Sequence, residues 1–370
     1  MKLNIQQSEF NKGIQIVQQA VSSKSTLSIL KGIYLEANKE KGLKLIGNDL
    51  EIGIEHWINA EIIEEGIIVL PASELSNIIR ELPSDNIFFE LDSKNYHVNI
   101  ECLNSKFTLK GFQGDEFPQL PEVKDAFKIN ISKKNFYKLL KEVKFSTSTD
   151  QTQPALTGAL FSLTEKNISL VSTNTYRLAY SIIKNKNNID DDFKVILPGS
   201  TLNELFTLID NEKYEIEVLL NKNYVRFSFQ DIIFISRLIE GKFPDYKQVL
   251  PSNFNSTIKV DRKNFLNAVK RASLIAKLES NIISIKIEKD NMIINSSSSE
   301  HGKAHEIIEI ELDGPEQTID VDAGYIIDVL KILDEDVVII KLIDALNPLT
   351  ITKYNNDDFT YLIMPVRPGA

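Results

Sequence analysis

The chain has 370 residues, 42% apolar and 25% charged, with a net charge of −10, which is room for two or three domains of ordinary soluble composition. No run approaches the roughly 18 apolar residues of a membrane span, the start MKLNIQQSEF is polar after Leu3 so that no secretory signal is expected, and the single Cys102 cannot form an internal disulfide, so a reducing, cytoplasmic setting fits. The acidity argues against a protein that grips nucleic acid by bulk electrostatics.

In chain order, the first element is a short strand running straight into an amphipathic helix at residues 2–20 (KLNIQQSEFNKGIQIVQQA). A hairpin follows around Lys41 (YLEANKEKGLKLIG), its flanks alternating apolar and polar as half-buried strands do. A second helix starts in VLPASELSNIIREL from Val69, with Pro and then Ser at its head. Alternating strands then fill FFELDSKNYHVNIECLNSKFTLKGF, and Cys102 among them reads as a small strand residue.

The same series begins again at residues 128–144 (KINISKKNFYKLLKEVK), with a hairpin around Lys166, a helix in ILPGSTLNELFTLI from Ile196 and further strands. It begins a third time at residues 257–272 (TIKVDRKNFLNAVKRA), with a hairpin around Asp290, a helix in VDAGYIIDVLKIL from Val321 and the final strands. The helix-start aromatics Phe10, Phe136 and Phe265 are 126 and 129 residues apart, and Phe117-Pro118 recurs 126 residues on as Phe243-Pro244. A unit of about 125 residues has the size of a free-standing domain, unlike the short units of solenoids. The reading is an α+β fold of three tandem domains, each with two helices and about eight strands in antiparallel sheets. Their limits are 1–121, 122–251 and 252–370, at the Pro-containing stretches 120–125 and 250–257.

The first helices of the second and third copies are basic. Residues 133–144 hold Lys133, Lys134, Lys138, Lys141 and Lys144 against Glu142, and residues 261–277 hold Arg262, Lys263, Lys270, Arg271 and Lys277 against Asp261. One such helix is ordinarily a solvated face. Two in equivalent positions, with acids concentrated elsewhere at 190–192, 334–336 and 357–358, imply a positive surface facing phosphates and acids on the outer side.

Several segments carry a resemblance over the whole chain: TLSIL at 26–30, GNDLE at 47–51, STNTYRLAY at 172–180, GKFPDYKQVLP at 241–251 and the terminal YLIMPVRPGA. The chain resembles the bacterial sliding clamps, the beta subunits of DNA polymerase III. The resemblance implies a non-catalytic processivity factor in which two chains close head to tail into a ring of six domains around duplex DNA. A ring held topologically needs no tight binding, which reconciles the role with a net negative charge.

The resemblance also implies a pocket for short peptides of polymerases and the clamp loader, lined by Leu156, Thr173, Thr175, Tyr176, Arg177, Leu178, Pro244, Val249, Leu346, Pro348, Leu362, Ile363, Met364, Pro365, Val366 and Arg367. Asn174, Thr175 and Tyr176 stand where the family commonly has Asp-Gly-His, a change expected to narrow the groove. DNA-facing positions would be Lys24, Lys134, Lys138, Lys141, Arg262, Lys270 and Arg271, with Lys138 and Lys141 exposed. The dimer contact would join Ile78, Lys106, Phe107 and Leu109 to Leu274 and Ile275 of the other copy, with KFTLKGF pairing edge to edge.

The rival readings are an enzyme acting on nucleic acid and a repeat scaffold that binds proteins alone. There is no GxxxxGK[ST] phosphate loop. His301 and His305 are four apart, but Gly302 between them favours a loop or strand over a shared helix face for a metal. Residues 296–299, all Ser, lack the strand–turn–helix setting of a nucleophile elbow. No catalytic residue, metal or cofactor is expected. Metal-dependent turnover would mark the enzyme, and ring closure on DNA separates a clamp from a scaffold.

Overall fold

The structure, a computed structural model, describes residues 1–22, 25–189, 191–209 and 214–366. The first repeat contains β1 (Lys2–Gln6), α1 (Gln7–Val17), β2 (Gly32–Asn38), β3 (Gly42–Asn48), β4 (Ile52–Ile58), β5 (Glu61–Glu64), β6 (Gly66–Pro71), α2 (Ala72–Glu81), β7 (Asn86–Asp92), β8 (His97–Cys102) and β9 (Ser105–Lys110). The second contains β10 (Phe127–Ser132), α3 (Lys133–Val143), β11 (Gly158–Leu163), β12 (Asn167–Thr173), β13 (Arg177–Lys184), β14 (Phe193–Pro198), α4 (Gly199–Leu208), β15 (Glu215–Leu220), β16 (Tyr224–Phe229) and β17 (Ile232–Arg237). The third contains β18 (Ser256–Asp261), α5 (Arg262–Ala276), β19 (Ile282–Ile287), β20 (Asn291–Ser298), β21 (Gly302–Glu309), β22 (Glu311–Asp313), β23 (Gln317–Asp322), α6 (Ala323–Ile332), β24 (Val337–Leu342), β25 (Leu349–Lys353) and β26 (Asn356–Ile363). The expected order of strand, helix, hairpin, helix and strands therefore recurs three times.

Local chemistry accounts for these elements. The apolar stripe Phe10, Ile14 and Val17 of α1 is buried at helical spacing, while Gly13 lets the helix close on Ile58 of β4 and Leu45 of β3. A side chain at Gly13 would press on both. Asp261 caps α5 by accepting the Asn264 N–H at 2.7 Å, and Asp322 caps α6 through the Gly324 N–H at 2.7 Å. Helix α2 has no side-chain cap; Pro71 sets its entry and Ser73 stays exposed. In the β19–β20 hairpin Ile285 faces Ile294, and both are buried.

These residues pack into two compact units, Met1–Lys134 with Thr207–Leu238, and Asn135–Phe206 with Ile239–Ala370. The middle repeat is divided between them because its strands extend its neighbours' sheets. In the first unit a five-stranded sheet, β5-β1-β7-β8-β9, belongs wholly to the first repeat. The eight-stranded sheet β10-β15-β16-β17-β4-β3-β2-β6 joins strands of the first two repeats through an antiparallel β4–β17 ladder, from Ile52↔Ser236 to His56↔Ile232. His56 is buried at this joint with Nδ1 3.1 Å from the Asp231 carbonyl, and burial holds its pKa below the usual imidazole value.

In the second unit the nine-stranded sheet β14-β11-β12-β13-β26-β25-β24-β18-β22 joins the last two repeats through β13–β26, from Arg177↔Ile363 to Ser181↔Phe359. The four-stranded sheet β21-β20-β19-β23 belongs to the third repeat, and α5 buries Phe265, Val269, Ala272 and Ala276. Among the described residues no helix is long and apolar enough to cross a membrane.

Candidate partner-binding groove and charged surfaces

The groove lies within the second unit, over the β13–β26 ladder. Leu156, Leu178 and Leu362 are buried in one cluster with Leu160, Val171, Ile196 and Phe243, and Tyr180, Tyr246 and Leu250 pack on it. Sequence reading named the first three. It missed Phe243 and Tyr246 as floor residues, although the repeated Phe-Pro landmark flagged the first.

One wall is the turn between β12 and β13. Asn174 Oδ1 accepts the N–H groups of Tyr176 and Arg177 at 3.1 and 3.0 Å, and the Thr173 hydroxyl donates to the Arg177 carbonyl at 2.7 Å. Thr175 has φ +77°, a left-handed conformation that a β-branched residue adopts only when its surroundings hold it there. The Met364 N–H donates to the Tyr176 carbonyl at 2.8 Å, tying the end of β26 to this turn. Tyr176 (63% exposed), Met364 (40%), Val249 (46%) and Leu346 (67%) are large apolar side chains left in solvent. Pro244 is exposed, Pro348 and Pro365 are half-buried, and Val366 donates its N–H to the Asp320 carbonyl at 2.8 Å.

Two residues serve differently from the expectation. Ile363 alternates with Leu362 along β26, so its side chain faces away from the groove cluster and is fully buried. Arg177 turns inward: Nη1 reaches Asp328 at 2.6 Å, Nη2 donates to the Phe145 carbonyl at 2.5 Å, and the guanidinium lies over Tyr325 with its carbon 4.7 Å from the ring centre. It braces the turn from below. Arg367 lies outside the described residues.

The basic helices correct the expectation of a free positive face. Lys138 is bonded to Asp358 and Lys141 to Asp334 at 2.7 Å, and their side chains are 28% and 24% exposed. Lys353 sits among them, 2.6 Å from Glu142 and 3.0 Å from Asp358, with the Ser181 hydroxyl 2.5 Å from the other Glu142 oxygen. Burial works against the Lys353 charge, but its bonds to Glu142 and Asp358 outweigh this and raise its pKa above the usual lysine value. The acids at 334 and 358 therefore do not sit apart from the basic helix; they pair with two of its lysines.

Arg262 is equally engaged, donating to the carbonyl of Leu330 in the last turn of α6 at 2.9 Å and to that of Glu335 just beyond it at 2.6 Å. Arg271 makes two bonds to Glu306, at 2.9 and 2.5 Å. Of the seven positions, Lys134, Lys270 and the ion-paired Arg271 are exposed, and Lys24 lies outside the described residues.

The edge positions are where the strand reading put them. β9 is an edge of the five-stranded sheet, with Phe107 exposed, Leu109 half-buried and Lys106 2.9 Å from Glu101; Ile78 is half-buried on α2. In the second unit, Leu274 is exposed and Ile275 half-buried near the end of α5, and Ile307 is exposed on the edge strand β21. His305 lies on β21 and His301 in the turn before it, and no group of three His, Cys, Asp or Glu able to hold a metal occurs among the described residues. Cys102 is buried on β8, and burial raises its thiol pKa.

Three tandem domains of one architecture, joined by shared sheets, define the class of replication clamps. Models of the DNA polymerase III beta subunit match in order: its N-terminal domain at residues 1–121, its central domain at 130–245 and its C-terminal domain at 247–367. The beta sliding clamp of Bacillus subtilis is 31% identical over 99% of this chain and 100% of its own, and that of Staphylococcus aureus is 30% identical over 99% of each. The crystal structure of the Bacillus subtilis DNA polymerase sliding clamp superposes with a TM-score of 0.94 at 30% identity, covering 99% of both chains. That of a putative DNA polymerase III beta subunit from Eubacterium rectale gives 0.92 at 31% identity, covering 99% of this chain and 100% of that one. The chain belongs to the DNA polymerase III beta subunit family, the beta sliding clamps. This is a family of non-catalytic subunits of DNA replication.

Proposed function

We propose that two copies of this chain close head to tail into a ring around duplex DNA, in the cytoplasm, and that each copy tethers polymerases and the clamp loader by a short apolar peptide bound in the groove of the second unit. What supports the peptide reading is an apolar floor, closed by Leu156, Leu178, Leu362 and Phe243, beneath a lip of exposed Tyr176, Val249, Leu346 and Met364. Monomeric surfaces rarely leave such side chains grouped without a partner to cover them. Calorimetry with a peptide carrying Gln and a Leu-Phe pair tests it: one site per chain is expected, and deletion of residues 364–370 should abolish binding while leaving the dimer intact. Unchanged affinity after the deletion would refute the groove.

Domain limits at 121/122 and 251/252 follow the repeat. Ring closure would bring Phe107 and Leu109, with Ile78 and Lys106 beside them, against Leu274 and Ile275 of the other copy, edge strand to edge strand. With Lys138, Lys141 and Arg262 held in internal bonds, the described phosphate-facing set reduces to Lys134, Lys270 and the exposed Arg271, beside the expected Lys24. Contacts so sparse leave the duplex held by topology and free to slide. A loaded clamp should therefore stay on nicked circular DNA at high salt and leave once the circle is cut; equal loss from both forms would remove the ring.

A further inference from the structure

The ladders β4–β17 and β13–β26 share one register. Ile129↔Val218, Val218↔Phe227 and Phe227↔Phe234 in the second repeat match Ile258↔Ile340, Ile340↔Ile351 and Ile351↔Tyr361 in the third, so Phe234 and Tyr361 are equivalent. Their partners across the joints are Ile54 and Ala179. These are equivalent too. Ile54 pairs with Gly47, which abuts the Val17 carbonyl, and Ala179 pairs with Ser172, whose hydroxyl donates to the Val143 carbonyl at 2.6 Å. Val17 and Val143 each follow the helix-head Phe by seven residues.

β21 and β9 are the remaining strands of the two kinds, and both are edges. Ala304 pairs with Ser296, whose hydroxyl donates to Ala272 at 2.7 Å, seven residues after Phe265; the path Leu3↔Phe89, Phe89↔Ile100 and Ile100↔Phe107 ends at Phe107. Carried over to the ring joint, the register sets Ala304 opposite Phe107 of the other copy, Lys303 opposite Thr108 and His305 opposite Lys106. It also sets Phe107 against Leu274: Tyr361 packs on Phe145 with ring centres 5.4 Å apart, and Phe145 and Leu274 each follow the helix-head Phe by nine residues. Phe107 and Leu274 are 41% and 67% exposed, side chains that lack a cover within one chain.

Side chains alternate along strands, so the other face of this joint carries Lys303 and His305 from β21 and Lys106, Thr108 and Lys110 from β9. The internal joints have Gly53↔Ile235 and Leu178↔Leu362 where this one has Lys303 and Thr108. Lys106 and Lys110 are diagonal neighbours of Lys303, about 7–8 Å away. Lys106 is bonded to Glu101 at 2.9 Å, whereas among the described residues Lys303 and Lys110, both exposed, have no acid partner. Lys303, Ser297 and His305 line one end of an open polar pocket of about 510 Å³; its acid, Asp320, lies three strands from His305, about 14 Å across the sheet. Cations brought this close repel, and an anion between them reverses the sign of the interaction. We propose that ring closure assembles an anion site on this face, from Lys303 and Ser297 of one copy and Lys106 and Lys110 of the other, and that a compact polyphosphate held there tightens the dimer. The site rests on the ring reading and is incomplete in either chain alone.

Energy transfer between labelled full-length chains, followed on dilution, gives the dimer dissociation constant in chloride and in inorganic tripolyphosphate at matched ionic strength. One anion at each of the two joints, at ten times its own dissociation constant, should tighten the wild-type dimer about a hundredfold. Lys303→Gln with Lys110→Gln should dimerise more tightly than wild type in chloride, because the repulsion is gone, and lose the response to the anion. No response in wild type, or an equal response in the double variant, would overturn the proposal. The register is read separately: Lys303→Cys with Thr108→Cys should cross-link the two chains on oxidation, since opposite residues of a ladder lie within disulfide range and the native Cys102 is buried. A dimer that fails to cross-link would overturn the proposal through its register. A wild type that shows no energy transfer in either buffer would remove the ring itself, and the site with it.

Discussion

Lys353→Met tests how the second and third repeats are held together within their unit. Lys353 and Glu142 are each 6% exposed and 2.6 Å apart, and Asp358 at 3.0 Å and Glu335 at 3.7 Å complete the lysine's shell. Met keeps the apolar stem and removes the charge. Glu142 would then retain only the Ser181 hydroxyl, while Asp358 keeps Lys138 and the Asn356 amide at 2.7 Å. Stripping one partner from a buried pair costs about 3–5 kcal/mol. The bonds left on both carboxylates put the loss at the lower end, about 3 kcal/mol. Urea denaturation followed by circular dichroism reads it directly. Adding Glu142→Gln to Lys353→Met should restore about 1 kcal/mol or more, because the amide needs no counter-charge and its oxygen still accepts the Ser181 hydroxyl. A loss below about 1 kcal/mol for the single variant, or a double variant no more stable than the single, would refute this view of the network.

Phe107→Asp places a charge at the apolar edge of β9 and should convert a dimer of about 84 kDa, twice the 42.0 kDa of one chain, into monomers by ultracentrifugation; a wild type already monomeric at micromolar concentration would count against the ring. Lys134→Glu with Lys270→Glu should reduce loading on DNA at unchanged stability, whereas Lys138→Glu should destabilise the fold by about 2 kcal/mol because it sets a carboxylate against Asp358; the opposite pattern in melting and retention assays would restore Lys138 to the DNA face. His56, with Glu9, Lys12 and Asp231 around it, is buried with a lowered pKa, so the unfolded chain takes up the proton first as pH falls. Its stabilising effect is full above about pH 6.5 and is lost below it. His56→Gln should therefore flatten the decline in stability between about pH 7.5 and 5.5, and an identical slope in the two proteins would exclude His56 as a cause.

The repeat was legible because each copy restates one local pattern, a strand into a helix with an aromatic such as Phe136 at its head, and local pattern survives without knowledge of neighbours. The joints were not. Alternation marks β4 and β17 as strands but says nothing about which edges meet across the chain. Charge misled for a similar reason: Lys138 and Lys141 find Asp358 and Asp334 at separations of 220 and 193 residues, so part of a helix that reads as a free positive face is paired with acids of the next repeat. The groove was legible through its resemblance at residues 172–180 and at the C-terminal strand. The inward course of Arg177 followed from Phe145, Tyr325 and Asp328, which no motif links to it.

The ladders β4–β17 and β13–β26 give the repeats unequal valence. Both sheets of the middle repeat are spent on neighbours, whereas the first and third each keep one sheet of their own, ending in β9 and β21. In the ring proposed above, each chain would offer two different ends, β9 and β21, and a joint of unlike ends would use both ends of each chain at once, so that every joint of the ring repeats the others.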